Sequence, residues 1–260
     1  MADALIIEIR DNIMLMKINR PEKKNAFNIE VLRGLSHAYT ELSERPDLRC
    51  GLVYSEGACF SSGMDMMDVL PKVAAEGESA FLDDGMCDPF RNFGKECKKP
   101  IIVAVQGQCY GAGMEFVISS DICVAADDVA FNLMEVRRGI MPLGGATMRL
   151  PQLIGWQDAM YYMLTGDTIS AEKAESMGLV QKVTTPGKQL EKSLEIAYRI
   201  ANNAPLGVQA VLETARIAEN PQQDIIVNIR DIVMSLVNTA DAREGMMSLL
   251  EKREPVFTGQ

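Results

Sequence analysis

One nine-residue pattern occurs twice in this chain, each time between a strand-like run and a helix-like run. The copies are GACFSSGMD at 57–65 and GQCYGAGME at 107–115, which begin fifty positions apart. Glycine at the junction of a strand and a helix lets another group approach the backbone N–H groups of the first helical turn, which have no intrahelical acceptor. The repeat therefore predicts two similar strand-turn-helix units, each with a binding site for an oxyanion or phosphate. The alternative is that the glycines are needed only for the turn, which would give the same pattern.

The runs around the two copies predict alternating strands and helices. Four short apolar runs have the composition of buried parallel strands: CGLVYS, KPIIVAVQG, DICVAA and GLVQKV. Residues 28–44 instead have the periodicity of an amphipathic helix capped by Asn28. Asp11 and Asn12 separate two β-rich runs, which predicts an opening hairpin. The periodicity fails between Pro71 and Lys99, which predicts an irregular insertion near a site. The fold class is therefore α/β with mainly parallel strands.

After Pro186 the pattern becomes purely helical. Four amphipathic stretches follow one another with no strand between them, beginning with QLEKSLEIAYRIANNA and ending with ADAREGMMSLLEKREP. We therefore divide the chain into a core at 1–190, which holds the ligand site, and a helical domain at 191–260.

Composition excludes several classes of function. The 260 residues carry a formal charge of −10, and lysine and arginine never run beyond pairs, so no electrostatic footprint for nucleic acid or anionic lipid is present. The six cysteines form no C-x-x-C pair, and His37 is the single histidine, so we expect reduced thiols and no metal site. With no signal-like or membrane-length apolar stretch, the expected location is the cytosol.

Two glutamates lie in apolar surroundings close to predicted turns. Glu115 ends the second copy and precedes Phe-Val-Ile, and Glu135 follows twenty residues later, before a glycine-rich turn. Carboxyl groups with low-dielectric neighbours have raised pKa values and suit general acid-base chemistry. A helix N-terminal charge is the structural alternative for Glu115.

Five blocks together resemble the crotonase superfamily, specifically its enoyl-CoA hydratases and isomerases. The blocks are NRPEKKNAF, CFSSGMDMMDV, KPIIVAVQGQCYGAGMEF, AFNLMEVRRGIMPLGGATMRLPQLIG and LTGDTISAEKAESMGLVQKV. The resemblance covers essentially the whole chain. It implies a spiral of repeated ββα units, a C-terminal helical oligomerisation unit, and an acyl-CoA thioester as substrate, with coenzyme A as part of that substrate and no separate cofactor.

The resemblance also assigns residues to roles. It implies that Glu115 and Glu135 hold and activate water, and that the backbone amides of Met64 and Ala112 form an oxyanion hole for the thioester oxygen. We expect Gly111 and Gly113 to admit the thioester to those amides because they lack Cβ atoms. The residues matching coenzyme A contacts are Lys23, Lys24, Ala26, Asp65, Met66 and Phe257.

The expected reaction is addition of water to the 2,3 double bond of an enoyl-CoA. One alternative is a Δ3,Δ2-enoyl-CoA isomerase, which needs a single base and no bound water. A catalytically silent acyl-CoA-binding or RNA-binding relative is the other, and the acidic balance and both glutamates count against it. The four amphipathic helices and the resemblance predict a homotrimer or a dimer of trimers, with no nucleic acid or membrane partner.

Overall fold

A computed structural model of the protein describes residues 3–219, 238–253 and 255. In these ranges the strands are β1 (Leu5–Arg10), β2 (Ile13–Ile18), β3 (Cys50–Ser55), β4 (Cys59–Ser61), β5 (Ile101–Val105), β6 (Gln108–Tyr110), β7 (Ile122–Ala126), β8 (Ala130–Asn132), β9 (Ile169–Ser170) and β10 (Lys182–Thr184). The helices are α1 (Ile29–Glu44), α2 (Met66–Glu76), α3 (Ala112–Ser119), α4 (Ala146–Ile154), α5 (Trp156–Thr165), α6 (Ala171–Ser176), α7 (Gln189–Ala201), α8 (Pro205–Glu219) and α9 (Ala240–Glu251). Short 3-10 turns occupy Pro21–Lys23, Gly77–Ala80 and Glu135–Arg138.

The predicted hairpin and first helix are confirmed. Strands β1 and β2 pair antiparallel around Asp11, whose φ of 54° is the left-handed value that a tight turn needs. The Asn28 side chain accepts a hydrogen bond of 3.0 Å from the Val31 amide, which caps α1 as the sequence indicates.

Three consecutive ββα units form the centre of the fold. They are β3-β4-α2, β5-β6-α3 and β7-β8-α4; the first strand of each lies in a six-stranded sheet ordered β1-β2-β3-β5-β7-β10. The second strand of each lies in a four-stranded sheet ordered β4-β6-β8-β9. Neighbouring units pair in parallel in both sheets, so the chain winds as a spiral. The α/β class and the repeated ββα architecture are confirmed.

Both faces of the large sheet are covered. Helix α1 and the aromatic side chains of Phe27, Phe60 and Phe116 belong to the main core. Helix α7 covers a second cluster, which includes Leu52, Ile102 and Ala197. The division at residue 190 stays a prediction. Helix α7 crosses this position and packs on the sheet.

The segment between Pro71 and Lys99 is more ordered than its sequence indicates. Helix α2 continues through Pro71 to Glu76, so the expectation of irregular structure from residue 71 onward is wrong. Pro71 is the sixth of the eleven residues of α2, and its missing N–H removes one intrahelical bond without ending the helix. Further along, the buried Asp88 carboxylate accepts N–H bonds from Phe90, Asn92 and Phe93 at 2.7–2.8 Å, which fixes the loop.

All six cysteines are free thiols and buried, as expected. Within 3–219 and 238–253, no helix is both long and apolar enough to cross a membrane. The same ranges contain no group of three histidine, cysteine, aspartate or glutamate side chains that could hold a metal ion. The third predicted C-terminal helix lies almost entirely outside the described residues, and the first, second and fourth correspond to α7, α8 and α9.

Candidate active site

The two copies of the repeated pattern lie side by side. Strands β4 and β6 pair in parallel, with Cys59 opposite Gln108, so the turns that follow them emerge at the same sheet edge. Gly63 packs against the second turn, where an added Cβ would lie 3.1 Å from the Tyr110 carbonyl oxygen and 3.7 Å from the Ala112 nitrogen. The repeat therefore places two equivalent turns in contact.

Each turn presents a backbone amide that has no acceptor within the described part of the chain. Ala112 is the first residue of α3, so its N–H has no intrahelical partner. Met64 pairs with Phe27 through bonds made by its neighbours, from the Phe27 amide to the Gly63 carbonyl and from the Asp65 amide to the Phe27 carbonyl. Across the described residues, neither the Met64 nor the Ala112 amide donates a hydrogen bond, so both can serve an external acceptor.

The space beside Gly111 differs from the space beside Gly113. Gly111 has φ 52° and ψ −124°, a conformation that side chains disfavour, and a Cβ there would come within 3.1 Å of Glu135 Oε1. Gly113 instead packs on β4, since its Cβ would lie 2.8 Å from Ser61 Cβ. The expectation that Gly113 leaves room for a thioester is therefore wrong, because the space beside it is filled by Ser61.

Glu115 is buried and held by backbone donors. Helix α3 places it in the core with 3% of its surface exposed. Its Oε1 accepts N–H bonds from Gly144 at 2.7 Å and Ala146 at 3.2 Å, and its Oε2 accepts one from Leu143 at 3.3 Å. Burial raises the pKa of Glu115, whereas the three N–H donors favour its ionised form. Gly144 permits this contact, because a Cβ there would lie 2.9 Å from Glu115 Cβ.

Arg149 supports the loop that binds Glu115, a role that the sequence analysis missed. Its buried guanidinium donates to the Gly144 carbonyl at 3.3 Å and to the Asn92 side-chain oxygen at 3.2 Å, and its positive charge also favours the Glu115 carboxylate. The available signal was the spacing of Arg149 three residues after Ala146, which places both residues on one face of any helix formed there.

Glu135 reaches the same place from the next ββα unit. It opens a 3-10 turn after β8, and within the described chain its buried Oε2 has no hydrogen-bond partner. Its Oε1 lies against Gly111, in the second copy of the repeat. Burial and the nearby negative charge of Glu115 raise the pKa of Glu135 to about 8.

The two carboxyl groups therefore have different electrostatic environments. Three backbone donors and Arg149 favour the charged form of Glu115, whereas in the described chain Glu135 has no such donor beyond its own backbone amide. Because each opposes ionisation of the other, these environments favour placing a shared proton on Glu135. This environment can supply a base and an acid at once.

The segment that resembles a coenzyme A contact packs against the first turn. The Ser62 amide donates to the Lys24 carbonyl at 3.0 Å, and the buried Asn25 side chain donates to the Cys59 carbonyl at 2.8 Å. Lys23 is exposed and free to reach a ligand.

The remaining residues assigned to coenzyme A divide into three groups. Asp65 accepts a hydrogen bond of 3.0 Å from the Arg20 guanidinium, which also donates to the Ala26 carbonyl. Arg20 was not among the residues that the sequence assigned to this site. Met66 is half-buried at the start of α2. Phe257 lies outside the described residues. The structure thus brings residues 20–26 and 62–66 together.

Comparison with known proteins identifies the family of the chain. The sequence model of a family described as enoyl-CoA hydratase/isomerase matches residues 8–260. The chain belongs to the enoyl-CoA hydratase/isomerase family. An enoyl-CoA hydratase of Mycobacterium tuberculosis is 34% identical over 98% of this chain and 96% of its own length. A carnitinyl-CoA dehydratase of Salmonella heidelberg is 31% identical over the full length of both proteins.

Solved structures of family members share the fold. The structure of a carnitinyl-CoA dehydratase from Mycobacterium avium matches with a TM-score of 0.86 and 31% identity over all of both chains. A probable enoyl-CoA hydratase/isomerase from Mycobacterium abscessus matches with a TM-score of 0.80 and 34% identity over 99% of both chains. The crotonase fold and membership of an enzyme family are therefore established for this chain.

Proposed function

We propose that this enzyme is an enoyl-CoA hydratase that adds water across the 2,3 double bond of an acyl-CoA thioester. One observation carries the proposal: the buried Glu115 and the half-buried Glu135, whose Oε2 is itself buried, lie beside two turns whose amides have no acceptor in the described chain. Hydration needs a base for water, an acid for carbon and a site for negative charge. The relatives named hydratase and dehydratase support the same class, since the reaction is reversible.

Glu115 is the group that accepts the proton of water. Its Oε1 already accepts two N–H bonds, whereas its Oε2 accepts one and keeps a lone pair for a water molecule. As the water oxygen bonds to C3 of the substrate, its proton moves to Glu115. The fixed donors hold the carboxylate in one orientation, so little reorganisation accompanies the step.

Glu135 is the group that protonates C2. Its raised pKa keeps it protonated at neutral pH, and its Oε2 has no other partner in the described chain, so its proton can go to substrate. The electrons of the double bond pass to the thioester oxygen as C3 is attacked. The amides of Met64 and Ala112 donate to that oxygen, and removing one such donor costs about 3 kcal/mol in enzymes where it has been tested.

Coenzyme A lies, in this proposal, along residues 20–26 and the start of α2. Lys23 and Lys24 supply positive charge for phosphates, while Ala26, Asp65 and Met66 shape the adjoining surface. Phe257 belongs to the same proposal from its sequence match alone.

We also propose that the protein assembles as a trimer or a dimer of trimers. Helices α8 and α9 expose large apolar side chains, including Leu206 at 79%, Val211 at 70% and Leu250 at 58%. Neighbouring helices of this kind bury such surface when subunits associate.

An assay of two substrate types separates the proposal from its rivals. A panel of straight, branched, aromatic and cyclic 2-enoyl-CoAs is followed by loss of the conjugated thioester absorbance, and 3-enoyl-CoAs are followed by its appearance. Hydration of any 2-enoyl-CoA supports the proposal. Isomerisation without hydration would establish the isomerase, and coenzyme A binding without turnover of either type would establish a silent acyl-CoA-binding relative.

A further inference from the structure

The last described helix, α9, touches the turn that carries Glu135. Gly245 lies at the contact, where a side-chain carbon would overlap the carbonyl group of Arg138. Gly245 is buried and helical, so its lack of a side chain serves close approach rather than an unusual backbone conformation. The helix backbone thus rests directly on the backbone of the turn.

One face of α9 is built for this approach. The small residues Ala242, Gly245 and Ser248 recur every three positions and are all buried. The large apolar side chains Met247 and Leu249 point away from the chain, at 47% and 55% exposure. Burial of the small face and exposure of the apolar face is the reverse of an ordinary amphipathic helix, so contact distance determines how α9 docks.

Movement of Arg138 is transmitted to Glu135 because they form a single turn of backbone. Glu135–Arg138 is a four-residue 3-10 turn, closed by bonds from the Arg137 amide to the Met134 carbonyl and from the Ile140 amide to the Glu135 carbonyl. The other side of the turn is tied by Arg137, which donates to the Thr165 carbonyl at 2.9 Å. The turn therefore lies between α5 and α9.

We propose that helix α9 positions the Glu135 carboxyl group through the contact of Gly245 with the Arg138 carbonyl, which makes Gly245 a positioning residue. Its effect on turnover rests on the function proposed above, whereas its effect on the carboxyl group can be measured without turnover. A displaced turn changes the position of the Glu135 carboxyl group relative to Glu115 and to solvent.

The charged and titratable groups around Glu135 are few and mostly engaged elsewhere. Glu115 faces it from α3, and Arg137 on its own turn pairs with Asp167 after α5. From α5, Tyr161 bonds to the same Asp167. Further groups on these elements in the described ranges are Arg138 on the turn, Tyr162 on α5 and, on α9, Arg243 and Glu244, the latter paired with Arg253. Glu115 is the neighbour whose charge raises the pKa of Glu135.

The test compares Gly245→Ala with Gly207→Ala. Both replace a glycine inside a helix, where alanine favours the helix by about 1 kcal/mol. Among the described residues, the nearest atom to a new Cβ at Gly207 is Ala204 Cβ at 4.0 Å, whereas a Cβ at Gly245 overlaps the Arg138 carbonyl. The first measurement is the infrared C=O stretch of protonated carboxyl groups across pH, with the Glu135 band identified by its loss in Glu135→Gln.

In Gly245→Ala we expect the titration midpoint of this band to shift from its wild-type value. We also expect kcat for hydration to fall about tenfold to a hundredfold with KM little changed, because misplacement of about 1 Å has effects of that size. Gly207→Ala keeps the wild-type midpoint and kcat. A folded, assembled Gly245→Ala with the wild-type midpoint overturns the proposal, whether or not the wild type hydrates enoyl-CoA.

If Gly245→Ala does not assemble, a measurement on the wild type tests whether α9 holds the turn of Glu135 in place. Native-state hydrogen exchange in low denaturant reports the free energy at which each segment opens. The proposal requires amides at 135–140 to lose protection together with those of α9. Retained protection at 135–140 after α9 has opened contradicts it.

Discussion

Replacing Glu115 by glutamine tests the donor loop at 143–146. The amide presents one oxygen and one NH2 group to three backbone N–H donors, whereas the carboxylate presents two oxygens. The least costly orientation keeps the oxygen on Gly144 and Ala146 and places the NH2 group against the Leu143 amide. One charge-assisted hydrogen bond is lost and a donor faces a donor.

The size of the effect follows from that geometry. A hydrogen bond to a charged group contributes about 1.5–3 kcal/mol, and removing the buried charge regains part of the desolvation that raises the pKa of Glu115, so we expect Glu115→Gln to lower the free energy of unfolding by at most about 2 kcal/mol. For a chain of this size that upper limit corresponds to a fall in Tm of about 4–8 °C. Hydration should fall at least about a hundredfold, the scale of a lost acid-base group.

Glu135→Gln is the matched control. The Glu135 Oε2 has no partner in the described chain, and glutamine is uncharged without taking up a proton on folding, so stability should be unchanged or higher. Its hydration rate should fall by a similar factor, and coenzyme A binding measured by calorimetry should persist in both variants. A Glu115→Gln protein that unfolds at or above the temperature of Glu135→Gln refutes the reasoning.

Three further predictions concern pH, ligand and assembly. Hydration kcat/KM should fall as pH rises through about 8, because Glu135 must be protonated. The free energy of unfolding should also fall as pH rises from the ordinary glutamate pKa to about 8, because Glu135 ionises at lower pH in the unfolded chain than in the folded one. In urea titrations Glu135→Gln should remove this pH dependence. Lys23→Ala and Lys24→Ala should weaken coenzyme A binding in calorimetry, whereas Lys192→Ala on α7 should not. Sedimentation at micromolar concentration should show a trimer or hexamer, and a monomer would contradict that assembly.

Local pattern predicted the parts of the fold that repeat or alternate. The two copies at 57–65 and 107–115 indicated equivalent turns, and parallel pairing of β4 with β6 brings them into contact. The hairpin at Asp11 and the cap at Asn28 are also local, since a few adjacent residues determine them. Glu115 and Glu135 were found because an acid among apolar residues is visible in the sequence itself.

Contacts between distant segments were not visible in the same way. Arg149 bonds to the Asn92 side chain, which lies fifty-seven positions earlier in the chain. Gly113 of α3 packs on Ser61, which lies in strand β4. Gly245 meets Arg138 over a still longer separation. These pairings depend on how the spiral stacks its units, and single-sequence periodicity reports only which face of an element is apolar.

Labelled water tests the central claim that Glu115 and Glu135 add water to an enoyl-CoA. A 2-enoyl-CoA is incubated with the wild type and with Glu115→Gln in oxygen-18 water, and the products are analysed by mass spectrometry. The account predicts a 3-hydroxyacyl-CoA carrying one heavy oxygen, formed at least about a hundredfold more slowly by the variant. Heavy-oxygen product formed by Glu115→Gln at the wild-type rate, or no labelled product from the wild type with any 2-enoyl-CoA, would contradict the account.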